Sequence, residues 1–262
     1  MFKTIKKLIK YPRVTQDYPK KPVNSSLFIG KPVIDKSKCI SCQECTLRCP
    51  SKAIYMDKDS NIPYINLGEC VFCSLCEEIC PEGAIKMDTS FELAVRDKNA
   101  LRGDTIILED KDITEEEYEI VCGDVKKKIA KLFGRSLNIR EVDAGSCNGC
   151  DYEINSLSNP FNDIERLGIH FVASPRHADM LLVTGTLTKN MELALLKTYN
   201  ATPDPKLVVA VGACAISGGI FREAYAAGNG IASVIPVDVF IPGCPPRPQA
   251  IIYGILKALS KV

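Results

Sequence analysis

Eight of the thirteen cysteines in this chain fall into two near-identical runs, and no other feature restricts the fold as much. The first run, CISCQECTLRCP, places Cys39, Cys42, Cys45 and Cys49 before Pro50. The second, CVFCSLCEEICP, places Cys70, Cys73, Cys76 and Cys80 before Pro81. Each is C-x2-C-x2-C-x3-C-P, a spacing that wraps three sulfurs around one face of an iron–sulfur cube. Thiolate is the soft ligand that such a cluster needs. A disulfide framework or zinc would require two intact copies of a four-cysteine pattern to arise by accident. The runs also head an internal repeat: CPSKAIYMD matches CPEGAIKMD, with Ala53 and Ile54 aligned to Ala84 and Ile85.

This is the spacing of a bacterial two-cluster ferredoxin, in which the fourth cysteine of each run ligates the other cluster. The expected sets are therefore Cys39, Cys42, Cys45 and Cys80 for one [4Fe–4S] cluster, and Cys49, Cys70, Cys73 and Cys76 for a second. Residues 33–90 read as an α+β ferredoxin domain, too small for much apolar core and held together by its clusters.

At 262 residues the chain has room for a further domain, and its 46% hydrophobic and 25% charged content is ordinary for a folded protein. No apolar run reaches the length of a membrane span, and the N-terminus lacks the apolar core of a secretory signal. Cysteines in metal-ligand spacing suit a reducing cytoplasm. The net charge of +1 hides an asymmetry: residues 1–38 carry ten Lys/Arg against Asp17 and Asp35, and the remainder is mildly acidic. Residues 1–32 read as a basic arm. Its first ten residues, MFKTIKKLIK, put Phe2, Ile5, Leu8 and Ile9 on one helical face and four lysines on the other, and four prolines then extend it. Either an anionic membrane surface or an acidic partner fits such an arm, and so does a solvated tail.

Residues 91–133 form a connector with one helical stretch and a lone cysteine, Cys122. From about 134 onward strands alternate with helices. Strands are expected at 136–142, 169–173, 180–184, 207–211 and 237–241, and helices at 191–199, capped by Thr188, and at 248–259. Runs such as KLVVAVG suit a strand buried on both faces. The fold class expected for residues 134–262 is a doubly wound, flavodoxin-like α/β domain.

Four more cysteines lie in this second half: Cys147 and Cys150 in GSCNGCD, Cys214 in VGACAISGG and Cys244 in IPGCPPRP. Each stretch follows an expected strand and contains glycine. In an open parallel sheet such loops meet at the carboxyl ends of the strands, so four distant sulfurs can converge on a third [4Fe–4S] cluster. On spacing alone zinc and a thioredoxin-like redox pair stay open, although a zinc ribbon would use two close C-x2-C pairs and only one is present.

GSCNGCDYEI, SPRHADMLLVTGTLTKNM, VGACAISGGIF and VDVFIPGCPPRPQAIIYGIL resemble the small electron-transfer subunit of membrane-bound, energy-converting [NiFe] hydrogenases, including formate hydrogenlyase. The complex I subunit that bears a cluster beside the quinone site belongs to the same family. From FKTIKKLIK to SFELAVRDKNAL the chain resembles the ferredoxin-like subunit of the same complexes. The resemblance covers nearly the whole chain and implies a fusion of two subunits that normally sit side by side. Complex I members carry two adjacent cysteines where this chain separates Cys147 from Cys150 by Asn148 and Gly149, as the hydrogenase branch does; sulfur-reducing relatives share that form.

The resemblance implies that Cys147, Cys150, Cys214 and Cys244 hold a proximal [4Fe–4S] cluster. It also implies electron relay on the cytoplasmic side of the cell membrane, as a peripheral subunit. Ferredoxin, formate dehydrogenase or CO dehydrogenase would be the donor, a [NiFe] hydrogenase large subunit the acceptor that makes H2, and membrane-embedded ion-pumping subunits the further partners. No nucleic acid is expected. No nickel site can be built from this chain, because each C-x2-C already serves a cluster. Phosphate-loop, dinucleotide and nucleophile-elbow motifs are missing, so catalytic residues are not expected. A complex I-like or sulfur-reducing module without nickel is the alternative. Another is a binding protein whose third site is structural zinc.

Overall fold

A computed structural model describes residues 6–7, 10, 14–21, 23, 28–103, 127, 129–131 and 134–259. Most of the amphipathic stretch 1–10, Cys122 and most of the connector helix lie outside these residues.

The first half is built from two antiparallel strand pairs. Strand β1 (Pro32–Ile34) pairs with β4 (Ile85–Met87), and β2 (Ile54–Met56) pairs with β3 (Pro63–Ile65). Helix α1 (Glu44–Arg48) lies inside the first cysteine run and α2 (Leu75–Glu78) inside the second. The repeat read from the sequence is visible here: Ile54 and Ile85 open β2 and β4, and both are buried.

The second half is a sheet of five parallel strands: β5 (Leu137–Asp143), β6 (Ile169–Phe171), β7 (Met180–Thr184), β8 (Leu207–Val211) and β9 (Val239–Ile241). Their order is β6-β5-β7-β8-β9, so the first strand of this half sits between the second and third and the strand order reverses there. Strands β7 and β8 begin and end where expected, because both are central and continuously apolar. The edge strands are shorter than expected. At β9, the Asp238 backbone N–H donates to Val208 O at 2.8 Å while its carboxylate accepts from Val208 N at 2.9 Å, and the strand starts only at Val239. The helices of this half are α3 (Gly149–Asn155), α4 (Lys189–Ala201), α5 (Gly212–Ser217) and α6 (Pro248–Leu259). Thr188 occupies the α4 N-cap position, but its side chain makes no capping hydrogen bond.

Alternation along each strand divides the interior into two cores. On one face Leu137, Ile139, Met180, Leu182 and Val209 pack with Ile251, Ile252 and Ile255 of α6. On the other, Leu181, Val183, Val208, Ala210 and Phe240 pack with Ile216 of α5 and also with Ile54, Ile65, Leu67, Ile85, Leu93, Val95 and Leu101 of the first half. The cluster-binding half is thus part of the layer that covers the sheet. Each fully buried aliphatic side chain contributes roughly 1.5–3 kcal/mol, so this half does not depend on its own small core alone. A bridge between Val95 and Phe240 extends the contact into backbone hydrogen bonding, with N–H···O distances of 2.8 and 3.0 Å.

Residues ahead of β1 lie against the second half. Thr15 Oγ1 donates to Pro160 O at 2.8 Å, Gln16 N donates to Phe161 O at 3.0 Å, and Gln16 Nε2 donates to Asn162 Oδ1 at 2.7 Å. Tyr18 is 1% exposed, its ring 5.7 Å from that of Phe91 and its hydroxyl 2.8 Å from Glu92 Oε1. This section of the basic arm is a strap.

Candidate metal centres

Cys39, Cys42, Cys45 and Cys80 line one cavity, and Cys45, Cys49, Cys70, Cys73 and Cys76 line another. The fourth cysteine of each run is delivered to the other run's cavity, and Cys45 borders both. The two cavities match in size.

Backbone conformation shows how the cysteines come to face inward. Ser41 and Gln43 in the first run and Phe72 and Ser74 in the second all have positive φ, between 55° and 64°. A residue with a side chain adopts that region at a cost of about 1–2 kcal/mol, and such strain persists only where the surroundings over-determine it. Beyond each C-P pair, Lys52 (φ 51°) and Gly83 (φ 55°) turn the next amide onto sulfur. Ala53 N donates to Cys49 Sγ at 3.3 Å and Ala84 N donates to Cys80 Sγ at 3.2 Å, and Phe72 N donates to Cys70 Sγ at 3.4 Å. Amides aimed at sulfur stabilise thiolate and tune the potential of a bound cluster.

The third set gathers at the carboxyl ends of β5, β8 and β9. Cys147 and Cys150 follow β5, with Cys150 inside α3, and Asn148 between them is again left-handed (φ 65°). Cys214 follows β8 but lies within α5, where a loop was expected. Cys244 follows β9. Gly212 (φ 87°) faces Cys150: a Cβ there would lie 2.6 Å from its Sγ. A Cβ at Gly219 (φ 56°) would lie 3.0 Å from Cys214 Sγ.

Electrostatics tests whether the sulfurs suit metal. Burial pushes the Cys70 thiol up to about 12 and the Cys76 and Cys214 thiols up to about 11, and like-charged neighbouring cysteines add to each shift. Burial first, then the charges of Cys214, Cys244, Asp151 and Cys147, raises Cys150. Sulfurs gathered like this become thiolates only with a compensating cation among them, and a coordinating metal supplies that charge. Among the described residues no three His, Cys, Asp or Glu side chains are set around a single metal ion. The first two sets, all sulfur and each lining a cavity, suit a polynuclear cluster better than one tetrahedral zinc.

The sets are also neighbours. The Cys76 thiol feels the charge of Cys45, and the Cys244 thiol feels that of Cys73. Phe72, between Cys70 and Cys73, lines a cavity with Cys244 and Pro245. The second set therefore lies between the first and the third.

Two features beside the sulfurs had no sequence signal. Glu141 on β5 has a buried Oε1 with no hydrogen-bond partner among the described residues. Burial, helped by a hydrogen bond to Asp151 and by its charge, lifts Glu141 to about 8. Asp151 is itself pushed up by burial, but hydrogen bonds from Ser146, Glu141 and Thr184 outweigh this and hold it below the usual carboxylate range. Arg222 joins the two halves through Glu69, with Nη1 2.6 Å from Oε2.

Among known proteins, the family described as NADH ubiquinone oxidoreductase, 20 Kd subunit, matches residues 147–258, and the 4Fe-4S dicluster domain matches residues 32–87. The "Probable membrane-bound hydrogenase subunit mbhJ" of Pyrococcus furiosus is 50% identical over 142 residues, covering 53% of this chain and 84% of that protein. Formate hydrogenlyase subunit 7 of Escherichia coli is 47% identical over 52% of this chain and 53% of its own length. An NADH-quinone oxidoreductase subunit of Geobacter metallireducens is 48% identical over 43% of this chain and 66% of that protein. A solved structure of a membrane-bound sulfane sulfur reductase, an archaeal respiratory membrane complex, contains a chain 39% identical, with a TM-score of 0.45 over 52% of this chain and 75% of that one. Because a dicluster half and a 20 Kd-subunit half share one polypeptide, the chain belongs to the energy-converting hydrogenase and complex I family, as a fusion within it.

Proposed function

We propose that this chain relays electrons through three [4Fe–4S] clusters to the nickel–iron large subunit of a membrane-bound, energy-converting hydrogenase that reduces protons to H2. The observation that carries the reading is the succession of cysteine sets: Cys45 borders the first two cavities, and Phe72, next to Cys73, lines a cavity with Cys244. The assignments are Cys39, Cys42, Cys45 and Cys80 to the outer cluster, Cys49, Cys70, Cys73 and Cys76 to the middle one, and Cys147, Cys150, Cys214 and Cys244 to the proximal one. When bound, the clusters supply one-electron chemistry at potentials set by burial, hydrogen bonds to sulfur and charge.

The protein's own residues do the rest. The amides of Ala53, Phe72 and Ala84 orient and stabilise thiolates. Gly212 and Gly219 let the backbone come close to sulfur. The strand order of the second half supports a flavodoxin-like domain, with the proximal cysteines at its carboxyl edge, where such sheets bind ligands. Among the described residues no helix is long and apolar enough to cross a membrane. In this reading the chain is a peripheral subunit on the cytoplasmic side, docked to membrane-embedded ion-pumping subunits. Ferredoxin, formate dehydrogenase or CO dehydrogenase is the donor class.

The C-x2-C spacing of Cys147 and Cys150 sets the chain apart from complex I members but is shared with sulfur-reducing relatives, so the 50% identity to a hydrogenase subunit is what supports the nickel branch. The 48% identity to an NADH-quinone oxidoreductase subunit supports the second reading, a nickel-free module of the same build. Metal analysis of the complex captured anaerobically through this chain separates them. Nickel near one per chain, with about 12 cluster irons from this chain at four per cluster and a further iron beside the nickel, is the expected result. Iron without nickel would move the chain to the second reading.

A further inference from the structure

We infer that Arg222 is a positioning residue for electron transfer, locking the middle cysteine set against the proximal one. The inference rests on the three-cluster relay proposed above. Arg222 closes the segment that begins with Cys214 in α5 and turns through Gly218 and Gly219. Its guanidinium reaches across to the first half and holds two separate pieces of chain. Nη1 lies 2.6 Å from Glu69 Oε2, directly before Cys70, while Nη2 donates to Ser51 O at 2.9 Å and to Lys52 O at 3.4 Å, directly after Cys49 and Pro50. One side chain on a proximal-set segment thus grips both segments that deliver Cys49 and Cys70 to the middle set.

The surroundings make this grip stiff. The Arg222 and Glu69 side chains are 18% and 12% exposed, so their attraction is weakly screened. Tyr55 OH donates to Glu69 Oε2 at 2.6 Å and orients the carboxylate. From the same α5, Ser217 Oγ donates to Gly68 O at 2.8 Å, in a fully buried second contact beside Glu69. Ser51, whose carbonyl Arg222 holds, is buried with its Oγ 3.7 Å from Cys49 Sγ. A planar five-donor fork serves a carboxylate and two carbonyls together, which the point charge of lysine does not.

Arg222 has two separable effects in this arrangement. It fixes the gap between the cysteines that would hold the middle and proximal clusters, across which one electron would pass, oxidising the middle cluster and reducing the proximal one. It also neutralises Glu69, whose uncompensated negative charge would make the middle cluster harder to reduce.

The experiment compares the reconstituted full chain with Arg222→Met, Arg222→Lys, Glu69→Gln and the Arg222→Met/Glu69→Gln double variant. Iron per chain, EPR-monitored redox titration, magnetic broadening between clusters and the freeze-quenched appearance of the reduced proximal signal are measured on each. In Arg222→Met we expect unchanged iron, a lower middle-cluster potential, weaker broadening and slower proximal filling. Adding Glu69→Gln restores the potential but not the rate. Arg222→Lys keeps the potential and recovers the rate only in part. If Arg222→Met loses iron, Arg222→Lys and Glu69→Gln carry the comparison. Wild-type broadening and rate in iron-replete Arg222 variants would overturn the inference. A wild-type chain holding only about 8 irons with no third EPR signal would instead overturn the relay itself.

Discussion

Replacing Gly212 by alanine tests the proximal site most directly, because the structure gives both the clash and its control. Gly212 has φ 87°, and an added Cβ would lie 2.6 Å from Cys150 Sγ, 3.5 Å from Gly243 O and 3.7 Å from Pro246 Cδ. Ordinary contact begins near 3.5 Å, so the sulfur and the methyl must separate by about 1 Å, against interior packing that yields little. The left-handed backbone adds about 1–2 kcal/mol. Gly83 isolates that second cost. Its φ of 55° is also left-handed, but a Cβ there meets nothing within 4 Å, and the repeat carries Lys52 at the matching position with φ 51°. Gly83→Ala should therefore keep all its iron and lose only about 1–2 kcal/mol of stability. Gly212→Ala should fall from about 12 irons per chain to about 8, with both ferredoxin-type EPR signals intact. Anaerobic iron analysis and EPR on the two variants decide the matter. Full iron and an unaltered proximal signal in Gly212→Ala would refute the placement of Gly212 against a cluster ligand.

The remaining predictions concern the proximal set, the strap and the acid pair. Cys147→Ser should remove the proximal signal and abolish H2 turnover in the assembled complex while the other two clusters persist; normal turnover would break the relay. Tyr18→Ala should destabilise the chain by about 3–5 kcal/mol, the range for removing a buried aromatic ring, and speed proteolysis within residues 14–21; an unchanged denaturant midpoint would show that the strap contributes nothing. Glu141 is lifted from 4.5 to about 8 in the folded chain, so the native state binds the extra proton. Its contribution is then fully present below about pH 4.5 and lost as pH rises through about 8. Glu141→Gln should flatten that part of the stability profile, and a profile identical to wild type would refute the assignment.

How much of this was legible in the sequence depended on whether the controlling interaction was local. MLLVT and LVVAV identified β7 and β8 to the residue because a central parallel strand buries every side chain. The edges were harder to place. At β9 a carboxylate, Asp238, takes over part of the ladder, and no propensity scale anticipates that. GACAIS reads as a loop after β8, yet it forms α5 with five of its six residues buried. The cysteine runs were legible for the opposite reason: a cluster demands its ligands at fixed separations, and the left-handed residues between them follow from wrapping chain around it.

What stayed hidden was how the two halves meet. Period-two alternation declares that a strand such as β7 has two apolar faces, but not what covers the second. Here that cover comes in part from Ile54, Ile65 and Ile85, whose own short strands gave no hint of an outside partner, and from Leu67 just beyond β3. The same contact surface carries Ser217 to Gly68 and Arg222 to Glu69, so the packing that buries the sheet also sets the distance from the middle sulfurs to the proximal ones. The steep dependence of electron transfer on separation makes that distance a functional quantity. A close-packed interface, whose side chains cannot shift independently, is a physical means of holding it constant. On this reasoning, joining the two halves in one chain matters less for tethering than the core they share, since a covalent connection alone would leave the gap between cysteine sets undefined.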